Sequence, residues 1–383
     1  MPGGAQVAVR LSESRGAGGT RAAAVIAVAT LAAVLLVFLP VGAGAAGQMW
    51  VARTLPMMKN FPGHSVSCSA NGCVALTSEC APGGCGGLAR VTPLGSSNAG
   101  VSWVKGTFPG SVGAPTYVAC ASAKACVATA TQGPLGPGEH SVIVVTGNGG
   151  RSWTSHVETR YNLAGAACSS PTTCVALGDT IGSPTGEADT GLVTSNGGRT
   201  WAPIAFPARK MFVEAITCSA PVLCLAAGAN TTATRGVIYR SIDAGRTWAP
   251  VRLPSKVRGL RTISCTGKSC IGTSAAYQVV VSRNGGTTWS LHAIAPRPAI
   301  QDASCMSASV CMMVGFSGTS PSSPAAEVSR NGGASWASQR LPHFTGRLTG
   351  VDCSRAFCVA IGVRVSYRGK TPTAEYPEVL TYQ

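Results

Sequence analysis

The sequence predicts an all-β fold, a seven-bladed β-propeller, and three observations predict it. Seven short cysteine pairs recur about every 47 residues: Cys68/Cys73, Cys120/Cys126, Cys168/Cys174, Cys218/Cys224, Cys265/Cys270, Cys305/Cys311 and Cys353/Cys358. Seven tryptophans, Trp50, Trp103, Trp153, Trp201, Trp248, Trp289 and Trp336, keep the same interval. Each unit reads as four short β-type runs separated by Gly, Pro, Ser and Asn clusters. Self-similarity at this period marks one supersecondary unit copied in tandem, and four strands in roughly 40–50 residues is blade spacing. No segment after residue 47 keeps a helical apolar period beyond two turns, which argues against a helical repeat.

One unit gives the elements in order. AITC ends at Cys218, and Cys224 opens the second run, CLAAG. A polar loop leads to GVIYRS, then to DAGRTW and APVRLP. The turn before the tryptophan repeats six times: SSNAGVSW (96–103), TGNGGRSW (146–153), TSNGGRTW (194–201), SIDAGRTW (241–248), SRNGGTTW (282–289) and SRNGGASW (329–336). The Asn or Asp side chain bonds its own turn, Gly takes positive φ, and the Trp buries a large ring between sheets.

These turns resemble the Asp box, or BNR repeat. Over residues 48–383 the chain is similar to Asp-box propellers, the sialidase-like proteins and the photosystem II stability/assembly factor group. The resemblance implies the fold, with the box as a structural element. Five of the six boxes carry Asn, and only Asp243 is acidic. Asn caps such a turn as well as Asp does.

The ends of the chain are complementary. The seventh unit has its cysteines and a third run, EVLTYQ (378–383), but no box or Trp after it. Trp50 stands at the start, in WVARTLP, with no cysteine pair before it; WAPVRLP and WASQRLP follow later boxes. The N-terminal strand is therefore expected to complete the last blade, leaving no open sheet edge.

Each cysteine pair spans the first and second runs of a unit, where opposed positions are close enough to bridge. One short disulfide per blade is expected, each contributing roughly 2 kcal/mol. A metal reading competes, but C-x4-C and C-x5-C spacing around a ring fits zinc poorly. Cys80 and Cys85 form an extra pair in a Gly/Pro-rich loop, expected to bridge each other, with a redox role as the alternative. Disulfides imply an oxidising compartment. The N-terminus agrees: Arg10, Arg15 and Arg21 precede an apolar run, Ala22–Leu39, followed by VGAGAAG. Residues 1–47 thus read as a signal peptide or a single-pass membrane anchor, and residues 48–383 as the propeller, expected to be monomeric.

The formal charge is +16, and removing residues 1–47 leaves +14. In an exported protein this favours anionic partners: an acidic protein, a wall polymer or a lipid surface. Export and the lack of a basic strand interleaved with aromatics argue against nucleic acid. Blade topology puts the linkers between units, and the loops joining runs two and three, on one face. The linkers hold Lys59, Arg160, Arg209, Lys210, Lys256, Arg258, Arg261, Arg297 and Arg347. These nine are the candidate binding residues. The competing reading is a solvated loop surface. Arg151, Arg199, Arg246, Arg283 and Arg330, in the boxes on the opposite face, read as inherited with the repeat.

The alternatives are a sialidase-like glycan hydrolase or lyase and an inert envelope scaffold. The Arg-Ile-Pro motif of sialidases is absent, with Arg53 as its nearest trace. Glu214, Asp302 and Asp352 lie on or beside first strands, and alternation puts the two aspartates on one face and Glu214 on the other. A two-carboxylate site needs such a pair within about 5–10 Å. The aspartates are equally suited to pairing with Arg261 or Arg347. No phosphate loop, Ser-His-Asp pattern, metal cluster or cofactor motif is evident.

Overall fold

The structure is a computed structural model describing residues 49–56, 63–79, 90–110, 112–113, 115–132, 140–158, 161–180, 190–206, 211–219, 221–230, 232–274, 276–294, 298–319, 322–369 and 371–383. The leader, the Cys80/Cys85 pair, and Lys59, Arg160, Arg209, Lys210 and Arg297 lie outside these residues. Among the described residues no helix is long and apolar enough to cross a membrane.

The described residues form seven four-stranded antiparallel sheets, a seven-bladed propeller. Six blades use four consecutive strands each: blade 1 within 63–105, blade 2 within 115–158, blade 3 within 161–205, blade 4 within 211–251, blade 5 within 260–293 and blade 6 within 299–338. The seventh takes Gly346–Cys353, Cys358–Arg368 and Thr371–Tyr382 from the end of the chain and Trp50–Arg53 from its start. Trp50 pairs with Tyr382 and Arg53 with Val379, so the expected closure is present. The Trp50 and Tyr382 rings meet at 5.3 Å.

Among the described residues each blade carries one disulfide, between directly opposed residues of its first two strands. In chain order the bonds are Cys68 to Cys73, Cys120 to Cys126, Cys168 to Cys174, Cys218 to Cys224, Cys265 to Cys270, Cys305 to Cys311 and Cys353 to Cys358. Sequence reading placed these cysteines at hairpin turns on one rim, as staples only. The structure adds a packing role for the second member of each pair. Cys73, Cys126, Cys174, Cys224, Cys270, Cys311 and Cys358 are each at most 3% exposed. Each belongs to a different apolar cluster between blades. Directly opposed residues share one face of the sheet, and here that face packs into the blade junction, with the second cysteine the more deeply buried of each pair. These sulfurs are therefore core atoms, out of reach of a ligand or metal in solvent.

The seven apolar clusters fill the seven junctions between blades, and every junction holds one tryptophan. Trp50 packs between blades 6 and 7, Trp103 between 7 and 1, and Trp289 between 4 and 5.

The box turns set this packing. Ser329 is fully buried; its Oγ donates to Asn331 Oδ1 and accepts the N–H of Gly333 at 2.7 Å. Asn331 in turn accepts the N–H of Ser335 and donates to its Oγ. The glycine before each of the six box tryptophans is positioned against the preceding blade. Gly286 has φ +78°, and a Cβ there would sit 2.8 Å from Leu225. Its carbonyl accepts the Trp289 Nε1–H at 3.0 Å. Trp50 has no box before it, and its buried Nε1 has no partner. The Trp201 Nε1 is also unpaired, and nothing in the structure explains that one.

The first strands also depart from a regular ladder. Every one carries a β-bulge at the same step, so that one residue falls outside the strand register. Around the ring these are His64, Thr116, Ala164, Glu214, Arg261, Gln301 and Thr349. Bulges redirect side chains and often border sites.

Candidate functional site: the linker face and the central channel

Four of the nine candidate cations lie among the described residues. Lys256 and Arg258 are exposed on the linker between blades 4 and 5. That linker is fixed from below. The Arg258 N–H donates to Gln278 Oε1 at 2.8 Å, and Gln278 Nε2 donates to the Lys256 carbonyl at 3.0 Å. The Val257 carbonyl accepts the Gly236 N–H at 3.0 Å, and the Val257 side chain is buried. The two cations therefore flank a buried apolar anchor on a backbone held by its neighbours. Arg261 is exposed at the bulge three residues on. Arg347 is exposed two blades away, on the first strand of blade 7.

Sequence reading missed Arg235. It ends the loop joining the second and third strands of blade 4, where Asn230 Oδ1 accepts the N–H groups of Thr234 and Arg235. A Cβ on the next residue, Gly236, would meet the Arg258 carbonyl at 2.5 Å, so the two loops touch. Arg235, Lys256, Arg258 and Arg261 thus gather at one blade junction. The available signal was the placement of that loop on the linker face.

The central channel is lined by the first strands and encloses about 230 Å³. Tyr117, Asp302 and Asp352 all line it. Asp352 accepts hydrogen bonds from Ser67 Oγ (3.1 Å) and the Cys68 N–H (2.7 Å) of blade 1. It also accepts from Ser304 Oγ of blade 6 (2.9 Å) and its own neighbour's N–H. Asp302 accepts the Val351 N–H of blade 7 at 2.9 Å and the Ala303 N–H at 2.8 Å. These carboxylates tie blades 6, 7 and 1 together through backbone donors. They do not pair with Arg261 or Arg347, which are exposed.

Burial raises both carboxyls, Asp302 to about 7, with the N–H bonds of Val351 and Ala303 pulling the other way. Burial, and then the charges of Asp302 and Asp352, push the Tyr117 hydroxyl up, so it stays protonated. The enclosed volume is below the roughly 300–1,000 Å³ of ligand pockets. No arginine is among the residues lining it. Glu214 is exposed at its bulge, apart from the two aspartates as alternation required.

Three of the five box arginines make hydrogen bonds of two kinds. Arg283 Nη2 donates to the Asn331 carbonyl of the next box at 3.0 Å, and Arg330 Nη2 to Tyr382 Oη at 3.4 Å. Arg240, just before the box of blade 4, reaches the Gly285 carbonyl at 2.6 Å. These three brace successive blades. Arg246 instead bonds within its own turn, to the Asp243 carbonyl.

No protein-family model matches the chain, and no curated protein matches it. Solved structures do. A structure described as YCF48 bound to D1 peptide matches 87% of this chain and 94% of its own, at 14% identity and a TM-score of 0.56. YCF48 from Cyanidioschyzon merolae matches at 12% identity over 87% and 98%, with a TM-score of 0.56. U3-55K matches at 10% identity over 88% and 98%, with a TM-score of 0.60. At these identities the likeness is one of fold. The chain is a seven-bladed β-propeller that resembles, at the level of fold, the photosystem II assembly factor YCF48.

Proposed function

We propose that this chain is an exported scaffold that binds an acidic partner protein through the basic linker face. The observation that carries the reading is the fixed backbone under Lys256 and Arg258, with Arg235 and Arg261 beside it. A mobile charged loop loses entropy when it binds, whereas a loop already held by Gln278 loses less. The similar structure of YCF48 is described with a peptide bound, which favours a protein partner over a polymer or lipid surface. Seven disulfides and the leader-like residues 1–47 support export, with the leader acting as a signal peptide or an anchor.

The test is a pull-down from envelope extract with wild type and with a variant carrying Arg235→Ser, Lys256→Ser, Arg258→Ser and Arg261→Ser. The variant is expected to lose the partner while keeping its melting temperature, because exposed charges contribute little to stability. Wild-type capture is expected to fall as salt rises, since screening is nearly complete beyond about 8 Å at physiological ionic strength. Equal capture by both proteins, or capture indifferent to salt, supports the inert scaffold instead. Capture of wall polymer or anionic vesicles in place of protein reassigns the partner.

A further inference from the structure

Blade 7 is built differently from the rest. Its second and third strands, Cys358–Arg368 and Thr371–Tyr382, run 11 and 12 residues. The first strand stops pairing at Arg364, and the closing strand stops at Val379. A two-stranded ribbon therefore projects past its neighbours, and among the described residues no strand pairs with its outer edge from Thr371 to Glu378. Pro372 and Pro377 lie on that edge, and proline blunts strand addition. Recognition there must come from side chains.

Beside the ribbon lies a groove of about 660 Å³, within the size range of ligand sites. Leu55, Pro56, Pro342, Phe344 and Tyr376 give it apolar walls. Among the described residues its charged side chains are Arg53, Arg364 and Glu378, so cations outnumber the one carboxylate. Arg53 is engaged, its Nε donating to Thr381 Oγ1 at 2.7 Å.

Arg364 is held in place for capture. Its Nε meets Glu378 Oε2 at 3.1 Å, and its Cζ stands 5.3 Å from the Tyr376 ring centroid. The Glu378 side chain is 13% exposed and that of Arg364 52%. Among the described residues the guanidinium has no further hydrogen-bond partner. A fork fixed by a carboxylate on one side and an aromatic face on another keeps its remaining donors for a second carboxylate, which it can hold bidentately.

We infer that this groove docks an extended acidic segment of a partner protein, with Arg364 gripping an Asp or Glu side chain and flanking apolar residues packing against Phe344 and Tyr376. The inference rests on the binding reading above, but it places the specific contact on blade 7 rather than at the blade 4–5 junction. The apolar walls select a peptide over a free carboxylate, because a small acid would leave them wet.

The experiment selects a displayed library of random dodecapeptides on the full chain, then measures synthetic, C-terminally amidated winners by fluorescence anisotropy. Winners are expected to carry Asp or Glu between apolar residues. Changing that residue to Asn or Gln is expected to cost about tenfold in affinity, about 1.4 kcal/mol. Arg364→Lys, which keeps the charge but loses the fork, is expected to cost a similar factor. The double variant R364Q/E378Q removes the ion pair as a unit, leaves no half-buried carboxylate unpaired, and is expected to abolish binding with an unchanged melting temperature. Lack of enrichment, winners without an acidic residue, loss of binding on amidation, or full affinity in both Arg364 variants overturns the inference. If the winners lose binding only in an R258S/R261S variant, the groove is wrong and the linker-face reading stands. If the Arg364 variants alone lose binding while envelope capture ignores the linker charges, the groove stands and the linker face falls.

Discussion

At the scale of single residues, the repeat separates positions that hold the ring from positions that vary around it. The first hydroxyl of each box is buried, and at Ser329 it serves the N–H groups of Asn331 and Gly333 together. Ser329→Ala leaves the Gly333 donor without a partner and is expected to cost about 1–3 kcal/mol in urea unfolding. Asn331→Asp is expected to be close to neutral, because Asp243 already makes the same turn, its Oδ1 accepting the Thr247 N–H at 2.9 Å. The channel aspartates give a pH dependence of definite sign. Asp302 is raised to about 7 by burial. A carboxyl raised in the folded state binds its proton more tightly there than in the unfolded chain. Its contribution is therefore complete below the unfolded value near 4 and is lost as pH climbs towards 7. Asp243 is lowered: burial raises it, but its bonds to Thr247, Ser241 and Arg246 together outweigh that, so its loss of stability lies at more acidic pH. Between pH 5 and 8 the melting temperature is expected to fall, and the fall is expected to flatten in an Asp302→Asn variant. The aspartates were visible in the sequence as a pair on one strand face. Their role was not, because Ser67 and Cys68, which bond Asp352, lie 285 and 284 residues away.

At the scale of elements, local signals carried far. The cysteine spacing placed both members of each pair opposite one another in a hairpin, and the register agrees at all seven. The burial of Cys73, Cys126, Cys174, Cys270 and Cys311 was less legible, because their apolar neighbours come partly from the adjoining blade. The box sequences located every turn before a fourth strand, because Asn, Gly and hydroxyl side chains act within four residues of themselves. The first-strand bulges were not legible. The residue skipped by the register ranges from Ala164 to Arg261, so no residue type marks the step, and only pairing with the second strand reveals it. The overshooting ribbon of blade 7 was also hidden, since its length depends on where two other strands stop. Arg364 passed unnoticed for that reason: its neighbours Tyr376 and Glu378 are local in space only once the hairpin is formed. Of the candidate cations, the sequence grouped them by face. What distinguishes the blade 4–5 set is Gln278 beneath the linker, a contact between residues 20 to 22 apart.

At the scale of the molecule, the two ends of the chain share one sheet. Deleting residues 376–383 removes the partner of Trp50–Arg53 and much of the third strand of blade 7. It also removes Tyr382, Leu380 and Val379 from the cores on both sides of that blade. The truncated chain is expected to lose cooperative unfolding, read as a broad melt with early exposure of tryptophan, rather than the small effect of trimming an ordinary tail. The consequence reaches into synthesis. Trp50 is made long before Tyr382, so blade 7 cannot close until its third strand has been made. A chain halted before Val379 therefore keeps Trp50–Arg53 unmatched and leaves two blade junctions short of the side chains that pack them.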